Sequence, residues 1–331
     1  MLRTDNIYRG TIGAKFPFYD DETADLLAKL LGGKKDVNKM QIIHILMQIN
    51  NTQRQMIKTP YKIRHNRDLM IDLTNEFTGD YKDIIIALME TPTKYDTLQL
   101  IKAINKTAIN EPLLIEILCL RTDMELAAIK NEYQIILGNK LVIDIATRIT
   151  GDLKDILLAV IQKPIAGNNK NEIIDMEKIK QEVKEILTEK KKIDKTAMKN
   201  IIGSLPAYQL KILTVEYAVL AGHQIEQDIE KYFNGHAKNA LLALIQYSRN
   251  SNSYFADLLN NLLKNPSGTR DGDLIRLIIS RSEIDLATIA EAYVKNYKKK
   301  LIDEISKECD ESYRDCLIAI IKGNMQNFIA K

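Results

Sequence analysis

The amino-acid sequence predicts an all-α protein made of four tandem repeats, and three observations carry the prediction. One phrase recurs: Thr78-Gly79-Asp80-Tyr81-Lys82-Asp83 opens an apolar run, and Thr150-Gly151-Asp152-Leu153-Lys154-Asp155 opens another. Looser copies stand at Asn234-Gly235-His236-Ala237-Lys238-Asn239 and at Asp310-Glu311-Ser312-Tyr313-Arg314-Asp315. From Gly79 to Gly151, Gly235 and Glu311 the steps are 72, 84 and 76 residues, and Tyr61, Tyr133, Tyr217 and Tyr293 keep the same steps. Self-similarity at such a period makes the repeat the unit of folding. The third observation is the shortage of helix breakers, 7 prolines and 14 glycines in 331 residues, with apolar residues recurring at helical spacing.

Each element follows in chain order. Residues 1–16 form a short head, and residues 17–92 and 93–164 form the first two repeats. The polar, glycine-containing stretch from Ile165 to Asn171 marks a linker over 165–176. Residues 177–248 and 249–331 complete the array. Leu274, Leu277, Ile278 and Ile284 show the helical stripe, with Arg281 lying on it. The Thr-Gly-Asp phrase reads as a turn that puts Asp80 or Asp152 near a helix start, where a carboxylate accepts orphan N–H groups. Pro92 and Pro164 read as helix stops.

Composition narrows the functional classes. A single core seldom grows past about 250–300 residues, so four subdomains suit the length. Apolar content of 45% with 27% charge is that of a soluble globular protein. The net charge of +3, from 47 basic and 44 acidic residues, excludes a global field directed at nucleic acid. Cys119, Cys309 and Cys316 are too few for a disulfide framework and predict a reducing compartment. Cys309 and Cys316 make either a redox pair or, since Cys316 sits in an apolar run, part of the core. Met1-Leu2-Arg3-Thr4 is not followed by an apolar signal core, and Leu2 stands where N-myristoylation requires glycine. No run approaches the roughly 20 apolar residues of a spanning helix. A cytoplasmic protein is expected.

At the level of motifs, the sequence resembles the annexin family. The clearest match is Ser267-Gly268-Thr269-Arg270-Asp271, then Leu274-Ile275-Arg276, then Ser280 through Leu286. Leu114-Ile115-Glu116-Ile117 followed by Arg121-Thr122 and Glu125-Leu126 repeats that pattern. The resemblance implies four repeats of about five helices each in a curved disc whose convex side binds calcium and acidic phospholipid. It also implies a buried charged cluster where the two halves meet, formed here by Asp96, Glu116, Arg121 and Arg276. Without the resemblance, such charges read as a solvated helix face. Buried charges need partners, and arginine suits that role. The many departures from the family pattern resemble a divergent protist member of the alpha-giardin branch, whose members associate with membranes and cytoskeleton.

Calcium sites are implied in the same way. Family loops read Lys-Gly-x-Gly-Thr between the first two helices of a repeat, and a later carboxylate closes the shell. Calcium takes six to eight hard oxygens at about 2.3–2.6 Å, and glycine allows the turns that aim carbonyls inward. In repeat four, Lys264, Pro266 and Gly268 would give carbonyls, and Glu308 stands 39 residues after Thr269 as the carboxylate. Read without the family, this is an ordinary helix-connecting turn. In repeat one, Gly32, Lys34 and Asp36 stand in the loop and Glu76 in the capping place. In repeat two the capping place holds Arg148, a cation that repels calcium, and in repeat three it holds Tyr232. Lys190, Lys191 and Lys192 lie in the third loop. With Arg148 they form either a calcium-independent contact to acidic lipid or a solvated basic run.

Enzymatic function is not expected. The four histidines, His44, His65, His223 and His236, lack metal-ligand spacing, and His44 reads as a core or edge residue of the Ile42–Met47 segment. No phosphate loop or nucleophile elbow occurs. The reading is therefore calcium-dependent peripheral binding to acidic phospholipid, with degenerate sites in repeats two and three. Two alternatives stay open: a calcium-independent cytoskeletal or flagellar scaffold on the same fold, and an α-solenoid.

Overall fold

The computed structural model describes residues 9–33, 38–105, 107–164, 174–188, 192–265 and 270–324. Their helices come in four sets. The first is α1 Asp20–Leu31, α2 Lys39–Met47, α3 Asn51–Met56, α4 Lys58–His65, α5 Leu69–Glu76 and α6 Gly79–Met89. The second is α7 Pro92–Asn105, α8 Glu111–Leu120, α9 Asp123–Leu137, α10 Leu141–Arg148 and α11 Gly151–Gln162. The third is α12 Met176–Ile186, α13 Lys195–Ser204, α14 Ala207–Ala221, α15 Ile225–Tyr232 and α16 Gly235–Arg249. The fourth is α17 Ser251–Lys264, α18 Arg270–Ser282, α19 Leu286–Tyr297, α20 Leu301–Glu308 and α21 Glu311–Lys322. The third helix of the first set is broken at Ile57 into α3 and α4, so each repeat has five helical positions. Among the described residues the extended pairing is a single antiparallel bridge, Leu187 to Ile193, in the turn between α12 and α13.

The chain makes two compact units, residues 1–95 with 255–331 and residues 96–254. In the first, α6 packs on α18 and α1 on α4; in the second, α11 packs on α13 and α8 on α16. Gly203 on α13 lets that helix approach α11 closely, since a Cβ there would stand 2.8 Å from the Cβ of Ala159. Burying the aliphatic stripes supplies the main folding drive, at about 25 cal/mol per Å² of apolar surface.

The recurring phrase has a backbone cause. Gly79, Gly151 and Gly235 open α6, α11 and α16 with φ of +58°, +66° and +53°. An L side chain is strained there, so the tight entry into the last helix of a repeat calls for glycine. The fourth copy enters α21 from an extended Asp310 at φ −71°. Asp152 does lie in the first turn of α11, but its carboxylate binds Lys199 at 2.8 Å and Lys195 at 3.0 Å. A nearby ammonium outcompetes helix N–H groups for the charge.

The tyrosine beat is an interior hydrogen bond. Tyr61, Tyr133, Tyr217 and Tyr293 are fully buried. Their hydroxyls donate to Asp72 at 2.7 Å, Asp144 at 2.7 Å and Asp228 at 2.5 Å, each 11 residues later. In repeat four the place 11 residues on is Glu304, which pairs with Lys299, and Tyr293 donates to Asn260 at 3.3 Å. Burial, together with the aspartate acceptors, raises the hydroxyl pKa values of Tyr61, Tyr133 and Tyr217.

Pro92, Ile284 and His44 depart from expectation, whereas Arg281 keeps its place on the stripe and the two cysteines join the core. Pro92 is the first residue of α7 rather than a stop, a position where its missing N–H costs nothing. Ile284 lies beyond α18 and is exposed. Arg281 turns inward because Asp285 takes its guanidinium in two bonds, of 2.7 and 2.6 Å. His44 is exposed on the outer face of α2. Cys309 and Cys316 are buried free thiols, and burial pushes the Cys316 thiol up to about 12, which makes it unreactive.

All four residues of the expected charged cluster are buried: Asp96 5%, Glu116 8%, Arg121 6% and Arg276 4% exposed. Within residues 96–254, Arg121 grips Asp96 through Nε at 2.6 Å and Nη2 at 2.9 Å. Burial works against the Arg121 charge, but Asp96 and Glu116 outweigh it and raise its pKa. Arg276, in the other unit, donates from Nη1 to Asp273 at 2.8 Å, a partner the sequence did not single out.

Candidate functional site

Each expected site combines the end of a repeat's fourth helix with the loop after its first, and in repeat two Arg148 joins the two by its bond to the Ile104 carbonyl. Local packing creates these corners. In repeat one, the Lys39 ammonium at the start of α2 lies 5.9 Å from the ring centre of Phe77, directly after α5. In repeat three, the Lys195 ammonium at the start of α13 lies 4.7 Å from that of Phe233, directly after α15. In repeat four, Tyr313 of α21 donates to Asp271 near the start of α18.

At the repeat-four corner, Lys264 is the last residue of α17 and Glu308 the last of α20. The Lys264 ammonium rests over the Tyr297 ring at 5.4 Å, which leaves its backbone as the part relevant to a cation. Lys307 binds the Glu308 carboxylate at 2.7 Å, and that carboxylate raises the Lys307 pKa above its ordinary 10.5. Glu308 keeps about a third of its side chain in solvent. Pro266 and Gly268 lie outside the described residues.

At the repeat-one corner, Gly32 caps α1, its N–H donating to Ala28 O at 2.9 Å. Glu76 ends α5 half-buried, while Lys34 and Asp36 lie outside the described residues. The sequence reading missed Arg67: a Cβ on Gly32 would stand 3.7 Å from its Nη1, and its Nε pairs with Asp72 at 2.8 Å. A guanidinium already borders this loop.

Repeats two and three lack an acid at this place. Arg148 ends α10, and its Nη1 donates at 2.8 Å to the carbonyl of Ile104, near the end of α7. The arginine charge thus satisfies a helix-terminal carbonyl, the kind of oxygen that a calcium site would use. It stays exposed and close to the loop. In repeat three, Tyr232 ends α15. Lys192 is exposed, and its carbonyl accepts the N–H of Thr188 at 3.0 Å and the hydroxyl at 2.8 Å. Lys190 and Lys191 lie outside the described residues.

No group of three or more histidine, cysteine, aspartate or glutamate side chains suited to a metal ion occurs among the described residues. A cation centre among the described residues would therefore draw on backbone carbonyls beside a carboxylate, a donor set of hard oxygens that suits calcium. The chemistry of repeat four fits that requirement through Glu308. The chemistry of repeats two and three does not, because a guanidinium or a phenol occupies the carboxylate place.

Comparison with known proteins agrees with this architecture. The annexin family model matches residues 22–88, 95–160 and 254–320. Annexin A13 of Mus musculus is 31% identical over 307 residues, 92% of this chain and 95% of its own length. The solved structure of annexin III superposes with a TM-score of 0.88 at 27% identity, covering 96% of this chain and 98% of its own. Calcium-bound alpha-14 giardin superposes with a TM-score of 0.74 at 13% identity, covering 91% and 99%, a likeness of fold alone. No helix among the described residues is long and apolar enough to cross a membrane. The family in general binds phospholipid in a calcium-dependent way and is not enzymatic. With three segments matched to the family model and a relative at 31% identity along nearly its whole length, the chain belongs to the annexin family.

Proposed function

We propose that this chain binds acidic phospholipid membranes peripherally and that calcium is held chiefly in repeat four. The observation that carries the reading is the Glu308 carboxylate at the end of α20, in the place where α10 ends on Arg148 and α15 on Tyr232. The carbonyls of Lys264, Pro266 and Gly268 would join Glu308 as ligands. Calcium held there would supply positive charge for a lipid phosphate. The part of the chain is to place one carboxylate at the loop and to leave it partly in solvent, where a phosphate can approach. One carboxylate predicts weak intrinsic affinity, since affinity follows ligand charge. Gly32, Lys34, Asp36 and Glu76 form the second-ranked site, weakened by the nearby Arg67 guanidinium.

Fixed charge supplies a second contribution. Lys190, Lys191, Lys192 and Arg148 would attract an anionic surface without calcium, each contributing about 1 kcal/mol where it comes near that surface. That part is screened within about 8 Å at physiological ionic strength. The setting is the inner surface of a cytoplasmic membrane. Sedimentation with phosphatidylserine vesicles tests both parts. Binding in calcium should exceed binding in chelator, and the chelator-resistant fraction should fade as salt rises. Equal sedimentation with and without calcium would remove the calcium reading.

A further inference from the structure

Repeat three has an unassigned cavity at its corner. Its volume is about 330 Å³, enough for a small organic anion. Its lining combines the apolar Leu187, Ile193 and Leu220 with Lys184, Lys231 and Tyr232, and it includes His223 and Asp228. It occupies the corner that, in repeat four, carries Glu308.

The charge in this cavity is one-sided. Asp228 is the acidic residue of the lining, and it is already used: its Oδ2 accepts the Tyr217 hydroxyl at 2.5 Å and faces His223 Nε2 at 2.5 Å. His223 is held by that contact, with Nδ1 3.2 Å from the carbonyl of Ala221. Among the described residues, neither Lys184 nor Lys231 has a carboxylate partner. The Lys231 ammonium instead lies 5.0 Å from the centre of the Tyr232 ring. Two lysines without a carboxylate partner among the described residues, together with Tyr232, thus line a cavity shared with Leu187, Ile193 and Leu220. Two point charges suit a doubly charged anion, and lysine binds phosphate as a point charge. A phosphate monoester carries about −1.5 to −2 at neutral pH.

We infer that this cavity binds a phosphate monoester without calcium. The phosphate meets Lys184, Lys231 and the Tyr232 hydroxyl, and the organic part lies on Leu187, Ile193 and Leu220. The inference does not depend on the repeat-four site, because Glu308 contributes nothing to the cavity. The same chemistry arises from a soluble phosphate ester or from a lipid headgroup such as that of phosphatidic acid.

Both sources are tested on the full chain in chelator. Glycerol 3-phosphate is titrated by calorimetry, and phosphatidylcholine vesicles with and without phosphatidic acid are sedimented. The expected result is binding to at least one probe, weakened at least tenfold in the double variant Lys184→Gln/Lys231→Gln. The charge-matched control Lys211→Gln/Lys238→Gln should bind as the parent does. Binding of the soluble ester that the double variant loses identifies a soluble ligand, and vesicle binding alone that the double variant loses identifies a headgroup. Vesicle binding that survives the double variant belongs to the fixed-charge contact and overturns the inference. Binding to neither probe, or an equal loss in the control, overturns the inference. Tyr232→Phe, which keeps the ring under Lys231, should cause a smaller loss; a gain would remove the hydroxyl from the site.

Discussion

Repeats two and four each bury an arginine–aspartate pair but carry opposite corners. Arg121 follows α8, and Arg281 lies near the end of α18; both are buried, and each holds an aspartate through two bonds. Their partners differ in origin: Asp96 comes from α7, 25 residues earlier, and Asp285 lies four residues later. At the corners the parallel ends. The fourth helix of repeat two finishes on Arg148, bound to a backbone carbonyl, and that of repeat four on Glu308, bound to Lys307. The interior tolerates little because a buried charge without its partner is costly, whereas a corner in solvent can hold either sign. A repeat protein can therefore change what its loops bind without rebuilding its core.

The largest effect should come from breaking the interior. Arg121→Ala should cost about 3–5 kcal/mol in urea denaturation, because Asp96 stays buried and loses its grip. Arg281→Ala should cost a similar amount through Asp285. A loss under about 1 kcal/mol for either would put that arginine among surface pairs and end the parallel.

The tyrosines sharpen the comparison at smaller scale. Tyr217→Phe removes a hydrogen bond to a buried carboxylate, worth about 1.5–3 kcal/mol. Tyr293→Phe removes a longer bond to the neutral Asn260 and should cost about 0.5–1.5 kcal/mol. Equal losses would mean that the hydroxyl partner is irrelevant and packing alone decides.

The corners come next. Glu308→Gln should weaken calcium binding about tenfold, or about 1.4 kcal/mol, with stability unchanged. Arg148→Ala should leave calcium binding alone and cost about 1 kcal/mol by freeing the Ile104 carbonyl. Calorimetry with calcium and denaturation of both variants give four numbers. A calcium effect at Arg148 or none at Glu308 reverses the assignment.

The smallest effect is the pH dependence of the link between α11 and α13. The Lys199 hydrogen bond holds the Asp152 carboxylate below its ordinary 3.8, aided by Lys195. Its stabilising contribution is complete above 3.8 and is lost as pH falls through the lowered value. Burial opposes the Lys199 charge, but hydrogen bonds with Asp152 and Asp155 outweigh it and raise the pKa above 10.5. That contribution is present below 10.5 and is lost as pH rises through the raised value. Lys199→Met should flatten both flanks of the stability profile. An unchanged profile would leave the triad without a role.

By itself, the sequence determined the helical class, the four repeats, the glycine turns and the spacing of the tyrosines. These follow from local causes: periodicity, a positive φ that only glycine adopts easily, and one large side chain per repeat. Glu308, Arg148 and Tyr232 were also legible, since each lies at a fixed offset within its repeat. Only the tertiary structure decided the partners. Asp152 could have capped its own helix, yet α13 brings Lys199 within 2.8 Å and takes the charge. Arg67 beside Gly32 and the cavity between Lys184 and Lys231 were invisible for the same reason. A side chain's position within its helix follows local periodicity, but an electrostatic partner is chosen among all groups that folding brings near, and that choice is made through space.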